Sequence, residues 1–489
     1  MTEPNSDNIV PIKKSDLARM IEEDISLEET GIESYSSDEK RILEQMNQKH
    51  AFVRDYAGSP RVLVYIYDDL IGKKRIAFQS VDSFYLWYMN QTVPVMMGGK
   101  VMQMEMGKWW VRHVDRREYN TVTFDPEHLE KDQYGIHVKN GSINLWSGLG
   151  VEPKKGNWKH LRKHIWLVLC NKDKAKFKYV MRWMAWSVQN PGKPAEVAIV
   201  FKGKKGTGKG LIAKTMTSLF GQHGLIVSSR KALTGEFNGH LERSCFVFAD
   251  EAYYPGDKEV EGIIKALITE PTLFLEGKHK DGRNVKNCLK IMMASNNDWV
   301  VPASSDERRF FINEVDGMYA TDGVRSKVRD AYFNRVFKEI ENGGKQAFIY
   351  SLLNFDLKGW HPRTGIPETT ELQKQVFHSH GYAVKALYEF LQNGIFPGDR
   401  DKLWVKGSTL WESVEKYFPE VRKASTVAKK DALEQIGVKK TRAAKGNVWH
   451  FGPLHKMRAN WIKAYGTPPE PFLPDEKGEE VWKFEATEF

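Results

Sequence analysis

Residues 203–210, Gly-Lys-Lys-Gly-Thr-Gly-Lys-Gly, gather four glycines and three lysines into one short stretch. Glycines let backbone N–H groups turn inward around an anion, and a lysine closing such a turn can neutralise phosphate charge. The flanks fit that chemistry. Glu196-Val-Ala-Ile-Val-Phe201 is a short apolar run of strand type, and Leu211–Phe220 continues with helical composition. Strand, glycine loop and helix in that order are the context a phosphate-binding loop requires. Gly203, Lys204, Lys205, Gly206, Thr207, Gly208, Lys209 and Gly210 are therefore the expected ATP contacts, with Lys209 directed at the β- and γ-phosphates. One position departs from the pattern: Gly210 stands where a Ser or Thr hydroxyl usually ligands Mg2+. Thr207 or water is left to complete that shell. An ordinary glycine-rich turn is the bland alternative.

Further along, Cys245-Phe-Val-Phe-Ala-Asp-Glu251 is an apolar run ending in two acids. Asp250 can hold Mg2+ through water, and Glu251 can polarise an attacking water. Strands ending in acids arise often by chance; the position after a glycine loop sharpens this one. A third run, Leu289–Ser295, leads into Asn296-Asn297, amides able to sense a γ-phosphate or orient the water. Then Asp306-Glu-Arg-Arg-Phe310 offers Arg308 and Arg309, either of which could stabilise transition-state charge at a neighbouring subunit's ATP. Alone, such an arginine is more often a salt-bridge partner; its place after the other motifs favours the role in trans. Between the acids and the amides, Thr272–Lys286 contains the turn signal Asp281-Gly282 and reads as a hairpin. Its tip would present Lys278, His279 and Lys280 to DNA phosphates, with a solvated turn as the alternative.

These groups need a scaffold that brings several strand ends to one edge. From 195 to about 315 apolar strands alternate with helical stretches, the signature of an α/β sheet. The expected organisation is an acidic leader at 1–45 and an N-terminal α+β domain at 46–150. A helical collar at 151–195, an ATPase core at 196–320 and a helical connection at 321–379 follow. The last part, 380–489, reads as a basic winged-helix-like domain. Within it, residues 421–463 hold eleven Lys and Arg against Asp431 and Glu434. Ser425 opens a helix, and Val438–Phe451 reads as two strands around a Lys-Gly-Asn turn. Lys439, Lys440, Arg442 and Lys445 are its candidate DNA contacts, whereas Trp449 and Phe451 read as core.

Bulk properties narrow the class. The chain has 489 residues and is 41% hydrophobic, enough to bury real cores in several domains. Residues 1–40 carry eleven Asp and Glu against four Lys and Arg, leaving 69 basic and 52 acidic side chains in the remainder. A basic body suits a polyanion partner. Cys170, Cys245 and Cys288 form no Cys-x-x-Cys pair, which argues against a zinc ribbon or disulfide scaffold. No apolar run approaches a membrane span and no secretion signal opens the chain, so a cytoplasmic protein without membrane attachment is expected.

The order of glycine loop, acidic strand, Lys/His hairpin, asparagine strand end and arginine pair resembles superfamily 3 helicases, in particular the helicase part of phage and satellite primase-helicases. Asn144-Leu-Trp-Ser-Gly148 and Trp183–Gly192 add to the likeness. The resemblance implies an AAA+-like fold, ATP hydrolysis with Mg2+, a hexameric homo-oligomer around one DNA strand and 3′→5′ translocation. It implies single-stranded and forked DNA as partners, with a separate primase and host polymerase in a bacterial cell. By it, Lys209, Asp250, Glu251, Asn296 or Asn297, and Arg308 or Arg309 take the roles argued above. A primase activity of this chain is not expected: at 50–150 the obvious acidic pair is Asp68-Asp69, without a convincing third acid or histidine to complete a two-metal cluster. Two other readings remain open, a motor that remodels proteins and an ATP-dependent origin-binding or assembly protein with little helicase activity.

Overall fold

The computed structural model describes residues 37–68, 73–97, 100–235, 238–251, 258–277, 280–298, 300–301, 307–321, 326–443, 446–474 and 479–484. They fall into two compact units, one running to Val122 and including 140–143, the other formed by 123–139 and the chain from Asn144 onward.

In the first unit, helix α1 (Ser37–Lys49) precedes strands β1 (Ala51–Val53), β2 (Arg61–Asp68) and β3 (Lys73–Ser80). Helix α2 (Val81–Trp87), hairpin β4 (Thr92–Met97) and β5 (Lys100–Glu105), helix α3 (Met106–Arg112) and β6 (Glu118–Tyr119) follow. The main sheet has the order β3-β2-β1-β6. Its core joins Leu43, Met46, Val62, Phe84 and Trp110. Asn47 fixes the corner, accepting through Oδ1 from Trp110 Nε1 at 2.9 Å and from Arg117 N at 2.8 Å.

In the second unit the side chain of Asn144 ties the chain back to its first segment, donating to Asp125 O at 2.8 Å and His128 O at 3.0 Å. Trp146 then stacks on His223 at 4.7 Å. The Asn-Leu-Trp-Ser-Gly stretch is thus structural. Helix α4 (Lys159–His164) runs through a π-helical turn to Leu169. Asp173 caps α5 (Lys174–Gln189) by accepting from Ala175 N and Lys176 N.

Five parallel strands form the central sheet: β7 (Ala198–Lys202), β8 (Gly224–Val227), β9 (Phe246–Asp250), β12 (Lys290–Ser295) and β13 (Phe310–Glu314), in the order β8-β9-β12-β7-β13. Between them lie α6 (Lys209–Phe220), α7 (Lys258–Thr269) and the antiparallel pair β10 (Thr272–Gly277) and β11 (Lys280–Lys286). Both faces are covered, which is why the strands read as unbroken apolar runs. Ile199, Phe201, Phe246 and Phe248 pack with Trp183 and Phe348, while Val200, Val247 and Ala249 pack with Ile264 and Ile268. Each of those buried phenylalanines contributes on the order of 2 kcal/mol.

Beyond the sheet come α8 (Lys327–Glu339), α9 (Lys345–Leu353) and α10 (Thr370–Ser379). Helix α10 clasps the strand ends. Thr369 donates to Ile312 O at 2.7 Å, Gln375 accepts from Val300 N, and buried Lys202 pairs with buried Glu371 at 3.1 Å. The C-terminal part has α11 (Tyr382–Asn393), β14 (Trp404–Lys406), α12 (Gly407–Glu415), α13 (Thr426–Gln435), β15 (Lys439–Ala443), β16 (Gly446–His450) and α14 (Leu454–Tyr465). β14, β16 and β15 form an antiparallel sheet in that order, over a core of Phe390, Leu410, Leu433 and Trp461. Ser425 caps α13 by accepting from Ala428 N. Trp449 and Phe451 are buried in this core. No helix among the described residues is long and apolar enough to cross a membrane.

Candidate functional site

The loop from β7 to α6 turns on three glycines with positive φ: Gly203 at 147°, Gly206 at 80° and Gly208 at 90°. Each is also walled in. A Cβ would lie 2.8 Å from Val315 Cγ2 at position 203, 2.6 Å from Thr321 Oγ1 at 206 and 2.5 Å from His164 Cε1 at 208. Only glycine fits all three. Gly210 differs. It lies inside α6, and the nearest atom to a Cβ there, Phe248 Cζ, is 3.7 Å away. A hydroxyl side chain would fit, so packing does not impose glycine at this position.

The loop walls a cavity of about 730 Å³ whose lining includes Asp250, Glu251 and Asn296. The sheet order creates this convergence, because β12 lies between the strand ending in Asp250 and the strand feeding the loop. Glu251 sits at φ 54°, a left-handed conformation that turns the chain at the strand end. Its carboxylate accepts from Ser295 Oγ at 3.1 Å and from Asn296 N at 2.9 Å. Lys209 is buried and donates to Gly203 O, to Lys204 O at 2.8 Å and to Asn296 Oδ1 at 2.8 Å. Burial lowers its pKa, and the charges of Glu251 and Asp250 oppose that shift. Thr207 is fully buried and donates its hydroxyl to Lys204 O.

Asn297 does not line the cavity; it is exposed, and its N–H bonds Ser295 Oγ at 3.1 Å. Arg308 and Arg309 lie elsewhere too. They enter β13 at the end of the sheet opposite the loop, where Ala198 N donates to Arg309 O. Buried Glu307 accepts from both of their backbone N–H groups, and Arg309 Nη1 lies 3.5 Å from it. Arg308 is exposed. Neither arginine reaches the cavity of its own chain.

Of the expected hairpin tip, Lys278 and His279 lie outside the described residues, and Lys280 opens β11 opposite Gly277. Asp281-Gly282 is therefore strand, not turn. The reason is steric: a Cβ at Gly282 would lie 2.2 Å from the Phe274 ring of the facing strand. The glycine makes room for an aromatic neighbour. In the C-terminal part Lys439, Lys440 and Arg442 are exposed along β15, while Lys445 lies outside the described residues.

Further groups at the cavity come from outside the motifs, several in its lining and one, His164, behind the loop. Arg329 of α8 faces the loop tip, its Nη2 3.2 Å from a Cβ position at Gly206. Tyr319 O, Asp330 and the Phe333 ring hold that guanidinium. Phe333 lines the cavity from the same helix, and Lys214 lines it one turn beyond Gly210 on α6. Behind the loop, His164 Nε2 contacts Gly208 O at 3.2 Å and Nδ1 contacts Tyr332 Oη at 3.1 Å. A carbonyl only accepts, so the ring carries its proton on Nε2 and accepts from the tyrosine. Burial pushes its pKa down to about 4. Lys214 alone was legible, from its spacing; the other three depend on packing.

A cavity between glycine-rich loop, paired acids and a strand-end asparagine, set in a parallel sheet covered by helices, defines a class of mixed α/β protein. Residues 201–309, which span the loop through the arginine pair, match a protein family described as "Family of unknown function (DUF5906)". A stretch of 202 residues is 27% identical to the DNA primase-polymerase of Nitratiruptor phage NrS-1, covering 40% of this chain and 27% of that protein. The chain thus spans about a quarter of that relative's length. The apo structure of the NrS-1 C-terminal region superposes with a TM-score of 0.55 at 18% identity, over 85% of this chain and 99% of that one. A second apo form gives 0.54 at 17% identity. The fold is shared with that region.

Proposed function

We propose that this chain is an ATP-dependent replicative DNA helicase of a phage or mobile element, built on an AAA+-like core of superfamily 3 type. The observation that carries the reading is the bond from Lys209 to Asn296, both in the wall of a cavity that Asp250 and Glu251 also line. The partial likeness to a phage DNA primase-polymerase supports a place in replication. The triphosphate lies along the loop, its charge met by Lys209 and by backbone N–H groups at the start of α6. Glu251, held by Ser295 and Asn296, orients the attacking water.

Mg2+ fits this donor set in reduced form. Asp250 would supply one carboxylate, and the remaining positions would fall to phosphate oxygens and water, since position 210 has no hydroxyl and that of Thr207 is buried. When bound, the ion spreads the charge that develops on the phosphates. Arg308 or Arg309, remote from their own chain's cavity, serve the site of the next subunit in a hexameric ring. The Lys278–Lys280 hairpin tip carries the DNA strand, and the winged-helix-like C-terminal part holds DNA through Lys439, Lys440, Arg442 and Lys445.

The direct test is ATP turnover with and without single-stranded DNA, together with unwinding of a fork. Turnover stimulated by DNA and abolished by Lys209→Ala is expected. Absence of turnover in the unmodified protein, or turnover indifferent to Lys209→Ala, overturns the motor reading and favours an assembly role.

A further inference from the structure

Four cationic side chains, Lys205, Lys209, Lys214 and Arg329, line the candidate cavity. Of the three carboxylates there, Asp330 pairs with Arg329 at 3.2 Å and Glu251 is held by Ser295 and Asn296. Lys214 stands four residues beyond Gly210 on α6, hence on the same face one turn further in. Helical side chains lean toward the N-terminus of their helix, so this lysine leans back over Gly210 toward the loop. Its Cε lies 3.9 Å from where a Cβ at 210 would be. The corner that a metal-binding hydroxyl would occupy is bordered by a lysine stem instead.

We infer that Lys214 takes over part of the metal's charge, so that a nucleoside triphosphate binds here without a divalent cation, which joins only for hydrolysis. The inference rests on the nucleotide reading of the cavity. A lysine ammonium and Mg2+ in one corner repel each other, whereas an ammonium alone satisfies phosphate oxygens with donors of its own. The missing hydroxyl is then one half of an exchange whose other half is the lysine.

Equilibrium binding of a fluorescent ATP derivative, in EDTA and in Mg2+, with inorganic tripolyphosphate as competitor, tests this. For the unmodified chain the two affinities should agree within about threefold. Loss of one charge-assisted contact costs about tenfold or more, so Lys214→Met should weaken binding by that much in EDTA and far less in Mg2+. Gly210→Thr should tighten binding only when Mg2+ is present. Lys214 is exposed, and an unchanged denaturation midpoint for Lys214→Met verifies its fold. Tenfold weaker binding of the unmodified chain in EDTA, or equal losses for Lys214→Met in both buffers, overturns the inference and leaves the nucleotide site standing. If neither ATP nor tripolyphosphate binds under either condition, the nucleotide reading itself fails, and the inference with it.

Discussion

Lys209 Nζ donates to Asn296 Oδ1 at 2.8 Å, and its other donations go to the carbonyls of Gly203 and Lys204. An ammonium has three protons, so all are in use. To meet a phosphate, Lys209 must release one of these acceptors, and the amide at the end of β12 is the one that a nucleotide can displace without unfolding the loop.

Removing that amide separates binding from turnover. Asn296→Ala should leave ATP affinity within about threefold, because Lys209 is freed, while turnover falls about a hundredfold, as for loss of one positioned polar group in a transition state. Titration with ATP and steady-state kinetics on the same preparation give both numbers. A fall in affinity equal to the fall in turnover would contradict the arrangement.

The placement of Arg308 and Arg309 at the far end of the sheet makes a complementation experiment decisive. Lys209→Ala chains mixed with Arg308→Ala or Arg309→Ala chains should turn over ATP faster than either parent. An arginine acting in trans accounts for about a thousandfold or more of the rate, so restored sites are easily seen. No recovery with either arginine would remove both from the neighbour's site.

His164 gives the second unit an acid-sensitive joint. Its folded pKa of about 4 lies below the 6.5 of a free imidazole, so the unfolded chain binds the proton more readily. The stability this contributes is complete above about pH 6.5 and is lost as pH falls toward 4, on the order of 3 kcal/mol in all. His164→Gln should flatten the pH dependence of the urea midpoint across that window. His223, also near 4, remains in both proteins, so the difference between them is the quantity to measure.

Lys202 and Glu371 are both buried and 3.1 Å apart. Lys374 also donates to Glu371, at 2.6 Å, so removing Lys202 leaves that carboxylate with one cationic partner, and Lys202→Met should cost about 1–3 kcal/mol in chemical denaturation. Lys202→Met with Glu371→Leu should recover most of that loss. If the double variant is no better than the single one, the cost lies in packing.

For the C-terminal strand β15, Lys439→Ala, Lys440→Ala and Arg442→Ala should each reduce the slope of log affinity against log salt for duplex DNA by about 0.9. An unchanged slope in all three places the DNA elsewhere.

What could be read from the sequence were groups close together along the chain. The loop at 203–210, the acids at 250–251 and Asn296 each end an apolar strand, and parallel strands carry such ends to one edge. The Ser425 cap and the burial of Trp449 followed from local rules as well. Arg329 and His164 could not be read this way, because one lies over a hundred residues past the loop and the other well before it; only the packing of α8 and α4 brings them there. Asp281-Gly282 misled for the opposite reason. Its glycine answers to Phe274 on the facing strand, a partner that turn statistics do not consider.

Strand β12 has a mechanical meaning that follows from its neighbours in sequence. Only Asn287, Cys288 and Leu289 separate it from β11, and Asn296 follows it directly. Asn287 is buried and anchored to the carbonyls of Leu267 and Glu270, so that short link has no slack. Six residues of extended chain span about 20 Å. β12 is thus a stiff link, paired on both sides within the sheet, between the hairpin and the Asn296 that holds Lys209, with no hinge along its length.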